Sequence, residues 1–365
     1  AADSAPVMAH FTAFPGIARV IGSGETKTSV VLKGGLQVDL RVVPPRSFSA
    51  ALLYFTGSKS HNVHLRRIAQ GHGLLLNEYG LFRDDAVIAG KTEDEIYRAL
   101  GLPWVPPELR EDRGEIEAAA SGQLPKLVER RDLRGDLHTH SLYTDGHASI
   151  EQMARQAREN GLEYVAITDH SRRITMAHGL DPARLHEQRR EIERVRKKVS
   201  GISLLQGIEV DILDDGELDL PADALAELDW VVASVHYKLE QNPADMTRRV
   251  IKAIRNPNVD VIGHPSGRLL GHREPSKFDF SEILRVAREE GCALEIDSQP
   301  DRLDLTDTAC LAAKRAGVKV VISSDAHSTR DFALIEYGIN QARRGWIEKD
   351  DVLNTRPLKN LRPRR

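Results

Sequence analysis

The sequence predicts an α/β protein: a smaller α/β region followed by a closed or nearly closed barrel of seven parallel strands. Three observations lead there. Seven short apolar, β-branched segments recur over about 200 residues after the first third of the chain. Amphipathic stretches of helical period separate most of them, and alternating strands and helices build a parallel sheet with right-handed crossovers. Six of the seven segments carry candidate His, Asp or Glu ligands in or just after their last residues, as expected if the carboxyl ends of parallel strands share one face. Seven such units are one short of the common eightfold barrel.

The bulk numbers bound this picture. At 365 residues the chain exceeds one ordinary core, so two domains are expected. A content of 41% hydrophobic and 29% charged residues is that of a globular protein and excludes a low-complexity chain. The formal net charge of −3 does not mark a nucleic-acid binder, although a nuclease needs only a local basic groove. Two cysteines, Cys292 and Cys310, make no disulfide framework, so a reduced, cytoplasmic setting is expected. No apolar run is long enough to cross a bilayer, and AADSAPVMAHF at the start has neither a basic leader nor an apolar core of an export signal.

The elements follow in order. In residues 1–104, SVVLKGGLQVDLRVV (29–43) reads as strands, and SAALLYF (49–55), VHLRRIAQGHG (63–73) and KTEDEIYRALG (91–101) read as helices. The proline- and charge-rich run from Leu102 to Arg131 reads as an interdomain linker with one short helix, assigned to 105–131. Then come the seven strand segments: GDLHTHS (135–141), YVAITDH (164–170), SLLQGIEVDI (203–212), DWVVASVHY (229–237), VDVIGHPS (258–266), CALEIDSQ (292–299) and KVVISSDAH (319–327). The charged run 182–199 reads as a solvated amphipathic helix, and the basic tail 356–365 as a terminus within reach of phosphates.

The strand ends hold nine metal-ligand types: His138, His140, Asp145, His170, Glu209, His236, His264, Asp325 and His327. Residues two apart on a strand face the same way, so His138 and His140 can hold one ion together, and Asp325 with His327 repeats the arrangement. Nine ligands exceed the needs of one zinc, which implies two or three ions and a bridging carboxylate. Glu209, the only glutamate of the set, is the candidate bridge. Imidazole and carboxylate without thiolate suit zinc, manganese or iron. Clustered divalent ions serve hydrolysis at phosphorus. Arg268, Arg273 and Arg302 follow the fifth and sixth strands and are candidate phosphate clamps.

H-T-H at 138–140, T-D-H-S at 168–171, G-I-E at 207–209, S-V-H at 234–236, G-H-P at 263–265 and S-D-A-H at 324–327 resemble the polymerase-and-histidinol-phosphatase (PHP) domain over about residues 132–340. The resemblance implies a distorted sevenfold barrel with its metals at the rim. It implies a first ion on His138, His140, Glu209 and Asp325, a second on Glu209, His236 and His264, and a third on Asp145, His170 and His327. Glu209 and Asp325 are then the carboxylates at the centre of the catalysis.

Upstream, LQVDLRVVPP (36–45) places Asp39 on a strand with Arg41 facing the same side. By itself this is the pattern of a structural ion pair. With Y-F-T-G-S (54–58) and N-E-Y (77–79), the region resembles the end of the palm (1–45) and the thumb (46–104) of a family X DNA polymerase, with the PHP barrel over 132–365. That resemblance implies that Asp39 is a third catalytic carboxylate for polymerase magnesium or manganese ions. It implies that Tyr54, Phe55 and Gly57 line a nucleotide pocket, and that Asn62 and Arg66 touch the minor-groove side of the nascent pair. Family X polymerases hold two further aspartates as D-x-D, and DNA-binding helical hairpins, upstream of this region. The sequence therefore reads as the carboxyl-terminal part of a repair polymerase, in which primer extension would require those upstream residues.

The expected activity is metal-dependent hydrolysis of DNA phosphoesters, as a 3′→5′ exonuclease with possible processing of 3′ ends, on gapped or 3′-ended DNA. A histidinol-phosphatase type of small-molecule phosphatase leaves the first hundred or so residues without a purpose. An amidohydrolase would usually carry a modified lysine where Glu209 stands. A purely structural metal site would be closed and thiolate-rich.

Overall fold

The structure, a computed structural model, describes residues 3–361; residues 362–365, the end of the basic tail assigned to phosphate contacts, lie outside the described residues. The chain forms two compact units, Ala1–Leu124 and Pro125–Arg365. Among the described residues no helix is long and apolar enough to cross a membrane.

The first unit opens with α1 (Ala5–Thr12) and an antiparallel sheet of β1 (Ile17–Ser23), β2 (Lys27–Leu32) and β3 (Gln37–Arg41), with β2 in the middle. Val30 of β2 is fully buried. Next come α2 (Phe48–Phe55) and α3 (Lys59–Gly71). Ser58 starts α3 as its N-cap, its side chain accepting from the His61 N–H at 3.1 Å. A second antiparallel sheet, β4 (Leu75–Asn77), β5 (Gly80–Arg83) and β6 (Ala86–Ala89), precedes α4 (Glu93–Ala99), and α5 (Glu115–Ala120) follows.

The run read as a linker is packed instead. Residues up to Leu124 belong to the first unit, and Val105, Leu109, Ile116 and Ala119 are buried. Arg110 is wholly buried; its two terminal nitrogens meet the Glu93 carboxylate at 3.0 and 2.8 Å, and its Nε donates to the Val105 carbonyl at 3.0 Å. Gly57 makes this possible, because at φ 106° a Cβ there would come within 2.6 Å of Arg110 Cβ. The composition hides this: a few apolar residues, two of them on α5, anchor a proline-rich segment.

In the second unit seven strands form one sheet: β7 (Gly135–Asp136), β8 (Tyr164–Ile167), β9 (Ser203–Asp211), β10 (Trp230–Ser234), β11 (Val261–Ile262), β12 (Ala293–Asp297) and β13 (Val320–Ser323). They pair in sequence order and all in parallel. The intervening helices are α6 (Ile150–Glu159), α7 (Pro182–Lys198), α8 (Ala222–Ala226), α9 (Pro243–Ile254), α10 (Phe280–Glu290) and α11 (Asp307–Ala316), and α12 (Ile335–Arg344) follows the last strand. The charged run 182–199 is indeed a helix. Most strands are shorter than their apolar segments, because the segment ends bend out as the ligand-bearing loops.

Strand alternation sorts the core into two layers. Leu137, Tyr164, Ala166, Trp230, Val232, Val261, Ala293 and Val321 pack together inside the barrel. Ile208, Val210, Val231, Ile262, Leu294, Ile296 and Ile322 pack outward with helix residues such as Val250 and Ile283. The ring closes between the first and last strands. Thr139 and Ala326 form a parallel bridge, with the His140 N–H donating to the Ala326 carbonyl at 2.8 Å. Nearer the strand starts, the buried Asn354 side chain donates to the Gly135 and Ile322 carbonyls at 2.8 and 2.7 Å, and accepts from the Ile322 N–H at 3.1 Å. Its amide thus occupies the main-chain groups that β7 and β13 do not satisfy for each other.

Candidate metal centre

All nine sequence-predicted ligands meet at the carboxyl ends of the barrel strands. His138 and His140 follow β7, and Asp145 sits on the loop beyond them. Asp169 braces that loop by accepting from the Ser141 N–H at 2.7 Å, the Ser141 hydroxyl at 2.6 Å and the Thr144 hydroxyl at 2.6 Å. His170 follows β8, His236 follows β10, His264 follows β11, and Asp325 and His327 follow β13, while Glu209 lies within β9.

Glu209 stands at the centre. Its Oε2 lies 2.7 Å from His170 Nδ1, 3.5 Å from His138 Nε2 and 3.7 Å from His140 Nε2. Its Oε1 lies 2.8 Å from His264 Nε2 and 3.2 Å from His236 Nε2. Asp325 Oδ1 is 3.0 Å from His140 Nε2 and 3.6 Å from His138 Nε2. Asp145 Oδ2 is 3.2 Å from His170 Nε2 and 3.6 Å from His327 Nε2.

Among the described residues, three groups bring ligand atoms within 4.8 Å of one another: His138, His140 and Asp325; His170, Glu209 and His236; and His140, Asp145, His170 and His327. The partition differs in detail from the one the family resemblance implies. His140 and His170 each take part in two groups, because each offers both ring nitrogens, and His264 meets the cluster through Glu209.

The donor set fits divalent cations. Buried atoms without a hydrogen-bond partner include His138 Nε2, both ring nitrogens of His140, Asp145 Oδ1 and Asp325 Oδ1. Such an atom costs about 1–3 kcal/mol when nothing satisfies it, and these cluster on shared points. Imidazole and carboxylate donors without thiolate match zinc, manganese or iron. Two of the nine sit in left-handed backbone, His264 at φ 25° and Asp325 at φ 50°; strain of this kind, about 1–3 kcal/mol per residue, gathers at functional sites.

Electrostatics separates the imidazoles. Burial opposes charge on His170, but Glu209 and Asp145 outweigh it and push its pKa to about 10. Burial also opposes charge on His327, where Asp145 and Asp325 prevail and raise the value to about 9. His138 is raised as well, against burial, by Glu295, Asp325 and Glu209. His140 goes the other way, to about 3, through burial and repulsion from His327 and His170. The carboxylates of Glu209, Asp145 and Asp325 stay well below their usual range; neighbouring histidines overcome the burial that opposes ionisation.

The three arginines have different fates. Arg268 donates to the Arg302 carbonyl at 2.7 Å and also to the Leu303 carbonyl, and Arg273 donates to the Gly267 carbonyl at 2.7 Å, so both hold loops together. Arg302 keeps a partly exposed side chain with Nε 3.4 Å from Asp297 Oδ2. Asp297, Asp325 and Glu209 keep it charged despite burial.

Two residues of the site carry little signal in the sequence. Asp169 stands there only as the neighbour of His170. Glu295 lies inside an apolar strand, where an acid is itself the signal: its Oε1 is 2.8 Å from His138 Nδ1.

In the first unit the expected polymerase residues gather at the corner between α2 and α3. The Tyr54 and Phe55 rings meet edge to face at 5.0 Å, and Asn62 Nδ2 donates to the Tyr54 carbonyl at 2.9 Å. Gly57 lies in the turn between the helices, and Arg66, partly exposed, is four residues beyond Asn62 on α3. Asp39 does not pair with Arg41. Its partner is Lys27, across the sheet on β2, at 3.0 Å, and hydrogen bonds from Ser29, Lys27 and Gln37 lower its pKa to about 2. Arg41 instead faces Glu78 at 3.7 Å, and its guanidinium lies over the Phe55 ring at 4.7 Å.

Comparison with known proteins bears on both units. Residues 51–111 match the DNA polymerase beta thumb, and residues 136–299 match the PHP domain. A Bacillus subtilis (strain 168) protein named DNA polymerase/3′-5′ exonuclease PolX is 39% identical over 364 residues, or 98% of this chain. The chain spans 63% of that relative's length. A Thermoanaerobacter sp. (strain X514) protein named Probable phosphatase is 34% identical over 233 residues, covering 60% of this chain and 89% of that protein. A solved histidinol phosphate phosphatase from Lactococcus lactis, complexed with zinc, L-histidinol and phosphate, aligns with 17% identity and a TM-score of 0.44 over 59% of this chain and 94% of its own. The chain belongs to the PHP family, and a DNA polymerase beta thumb precedes its PHP domain.

Proposed function

We propose that this chain hydrolyses phosphodiesters at the 3′ ends of DNA, as the metal-dependent 3′→5′ exonuclease portion of a cytoplasmic family X repair polymerase. One observation carries the reading: a buried Glu209 carboxylate within 3.7 Å of five imidazoles at the open end of a barrel. His138, His140, Glu209 and Asp325 would hold one ion, Glu209 with His236 and His264 a second, and Asp145 with His170 and His327 a third, as zinc or manganese. Such ions supply a water of lowered pKa and neutralise charge on a phosphoester.

The chain's own groups do the rest. Glu209, reaching both sides of the cluster, sets the spacing of the ligand groups. Asp169 holds the loop that brings Asp145 into place. Arg302 offers a fixed positive charge to a phosphate at the rim. The thumb supplies a reason for DNA as the substrate, since a small-molecule phosphatase has no use for it. In a longer protein like the B. subtilis relative, Asp39 would hold polymerase magnesium or manganese, with Tyr54, Phe55 and Gly57 against the nucleotide and Asn62 and Arg66 against the nascent pair. Asp39 suits that role in being ionised and accessible on its strand.

The second reading, a small-molecule phosphatase, is favoured by the Thermoanaerobacter relative, which is named a probable phosphatase and matches 60% of this chain. One assay separates the two. A 5′-labelled single strand incubated with the chain in manganese should shorten stepwise from its 3′ end, and EDTA should stop it. The double variant His138→Ala, His140→Ala should lose on the order of 100-fold or more in rate while keeping its fold. Digestion by that variant at the wild-type rate would remove the assigned site. Cleavage of a phosphomonoester such as p-nitrophenyl phosphate with DNA left intact would favour the second reading.

A further inference from the structure

β12 is the one barrel strand whose end supplies none of the nine candidate ligands, yet it places a carboxylate among them. Glu295 is wholly buried. Strand alternation turns it inward: Ala293, two residues before, packs with the barrel interior, while Leu294 and Ile296 pack with the helix layer. Both carboxylate oxygens are engaged. Oε1 lies 2.8 Å from His138 Nδ1, and Oε2 accepts the backbone N–H of His264 at 2.7 Å. One side chain therefore holds two candidate ligands from two other strands, and it holds neither by the atom that faces the cluster. His138 meets Glu209 and Asp325 through Nε2, at 3.5 and 3.6 Å, and His264 turns its Nε2 to Glu209 at 2.8 Å.

The backbone around Glu295 is shaped to admit it. His264 adopts φ 25°, a region that residues with side chains rarely enter, while its N–H points at Oε2. The preceding residue is Gly263, where a Cβ would come within 2.3 Å of Ser234 Oγ and 3.3 Å of Glu295 Oε2. A side chain at 263 would push into the space that the carboxylate and its neighbours fill.

We propose that Glu295 is a positioning residue of the metal centre: by taking hydrogen bonds from His138 Nδ1 and the His264 N–H together, it fixes His138 in the tautomer that presents Nε2 to an ion and fixes the backbone from which His264 reaches. The proposal rests on the metal reading of the nine residues. A neutral imidazole carries one proton, so a hydrogen bond donated by Nδ1 leaves Nε2 as the lone pair. Carboxylates behind ligating histidines act in this way and are worth about 10- to 100-fold in metal affinity.

Glu295→Gln keeps the shape but has one acceptor and one donor where the carboxylate has two acceptors. The His264 N–H can only donate, so the amide oxygen turns to it and the amide NH2 faces His138 Nδ1. His138 is then driven to the tautomer with its proton on Nε2, which cannot ligate. Glu295→Asp keeps two acceptors on a shorter arm. Metal-stripped proteins are titrated with zinc by calorimetry, and the His138 tautomer is read from 15N shifts of histidine-labelled, metal-free protein at a pH high enough for the ring to be neutral. The Gln variant should bind one zinc about 10- to 100-fold more weakly and lose the proton signal at His138 Nδ1. The Asp variant should keep that signal and lose less affinity. A folded Gln variant with wild-type zinc binding and a protonated Nδ1 would overturn the proposal, and so would an Asp variant no better than Gln. If the Gln variant does not fold, loss of the Nδ1 proton in the Asp variant also overturns it. Should the wild-type chain bind no zinc, the metal reading fails, and the 15N signals still decide whether Glu295 sets the tautomer.

Discussion

A carboxylate that faces five imidazoles does more than add one ligand. Glu209 meets histidines from four other strand ends, whereas Asp145 meets only His140, His170 and His327 at the edge of the cluster. Glu209→Gln preserves shape and removes the negative charge that offsets clustered cations. It should lower both bound metal and the rate of DNA hydrolysis, by on the order of 100-fold in rate, and more than Asp145→Asn does. Metal analysis beside turnover checks this, and the reverse ranking would give the central role to another group. Residues of this kind were legible in the sequence because ligand types stood at matching strand ends. Glu295 was legible only as an acid inside an apolar strand, before the strand's end, and the fold is what shows that alternation turns it toward His138. The partner of Asp39 was not legible. Arg41 lies on the same strand, but Lys27 reaches Asp39 from the neighbouring strand, a pairing that only sheet register reveals.

Among the elements, the segment between the two sequence-defined domains shows what composition hides. Its α5 begins with Glu115, which is wholly buried and accepts from the Asp112 and Arg113 N–H groups at 2.8 and 2.7 Å, with His61 Nδ1 2.6 Å away. On its other side, His61 Nε2 lies 2.9 Å from the Tyr97 hydroxyl, which ties α3, α4 and α5 together. Burial works against the Glu115 carboxylate, but the hydrogen bonds from His61 and from the Arg113 and Asp112 N–H groups outweigh it and hold its pKa below the ordinary value. A lowered folded pKa means stability that is fully present above the unfolded value of about 4.3 and is lost as pH falls through the folded value. Glu115→Gln should therefore cost the first unit about 1.5–3 kcal/mol near neutral pH, and the deficit should shrink as pH is lowered below about 4. Hydrogen-exchange protection over residues 59–120, corrected for intrinsic exchange, measures it. A deficit that stays constant from neutral pH to pH 3 would show that the carboxylate charge is not what stabilises this corner. Several helices of both units were legible from their period. The barrel strands were legible as segments rather than as spans, since β7 and β11 each have only two residues in the sheet and the rest of each segment bends into the metal-bearing loops.

At the scale of the molecule, seven strands form a ring only because the first and last are joined by the bridge between Thr139 and Ala326 and by the Asn354 amide. That closure is what brings His138 and His140, at one end of the sheet order, beside Asp325 and His327 at the other. The nine ligands are spread over 190 residues, from His138 to His327, and no single strand end carries more than three of them. Parallel topology and ring closure turn that spread into one site, so the fold class read from the sequence was sufficient to expect the site. Pairwise contacts within it, and the sharing of His140 and His170 between groups, depended on ring orientations that spacing does not encode. The central claim is that this rim is a multi-ion centre. Native mass spectrometry of the chain after equilibration with manganese or zinc tests it directly. Two or three ions per chain are predicted, falling by at least one in the His138→Ala, His140→Ala variant; a wild-type chain with one ion or none, or a variant with the full complement, would contradict it.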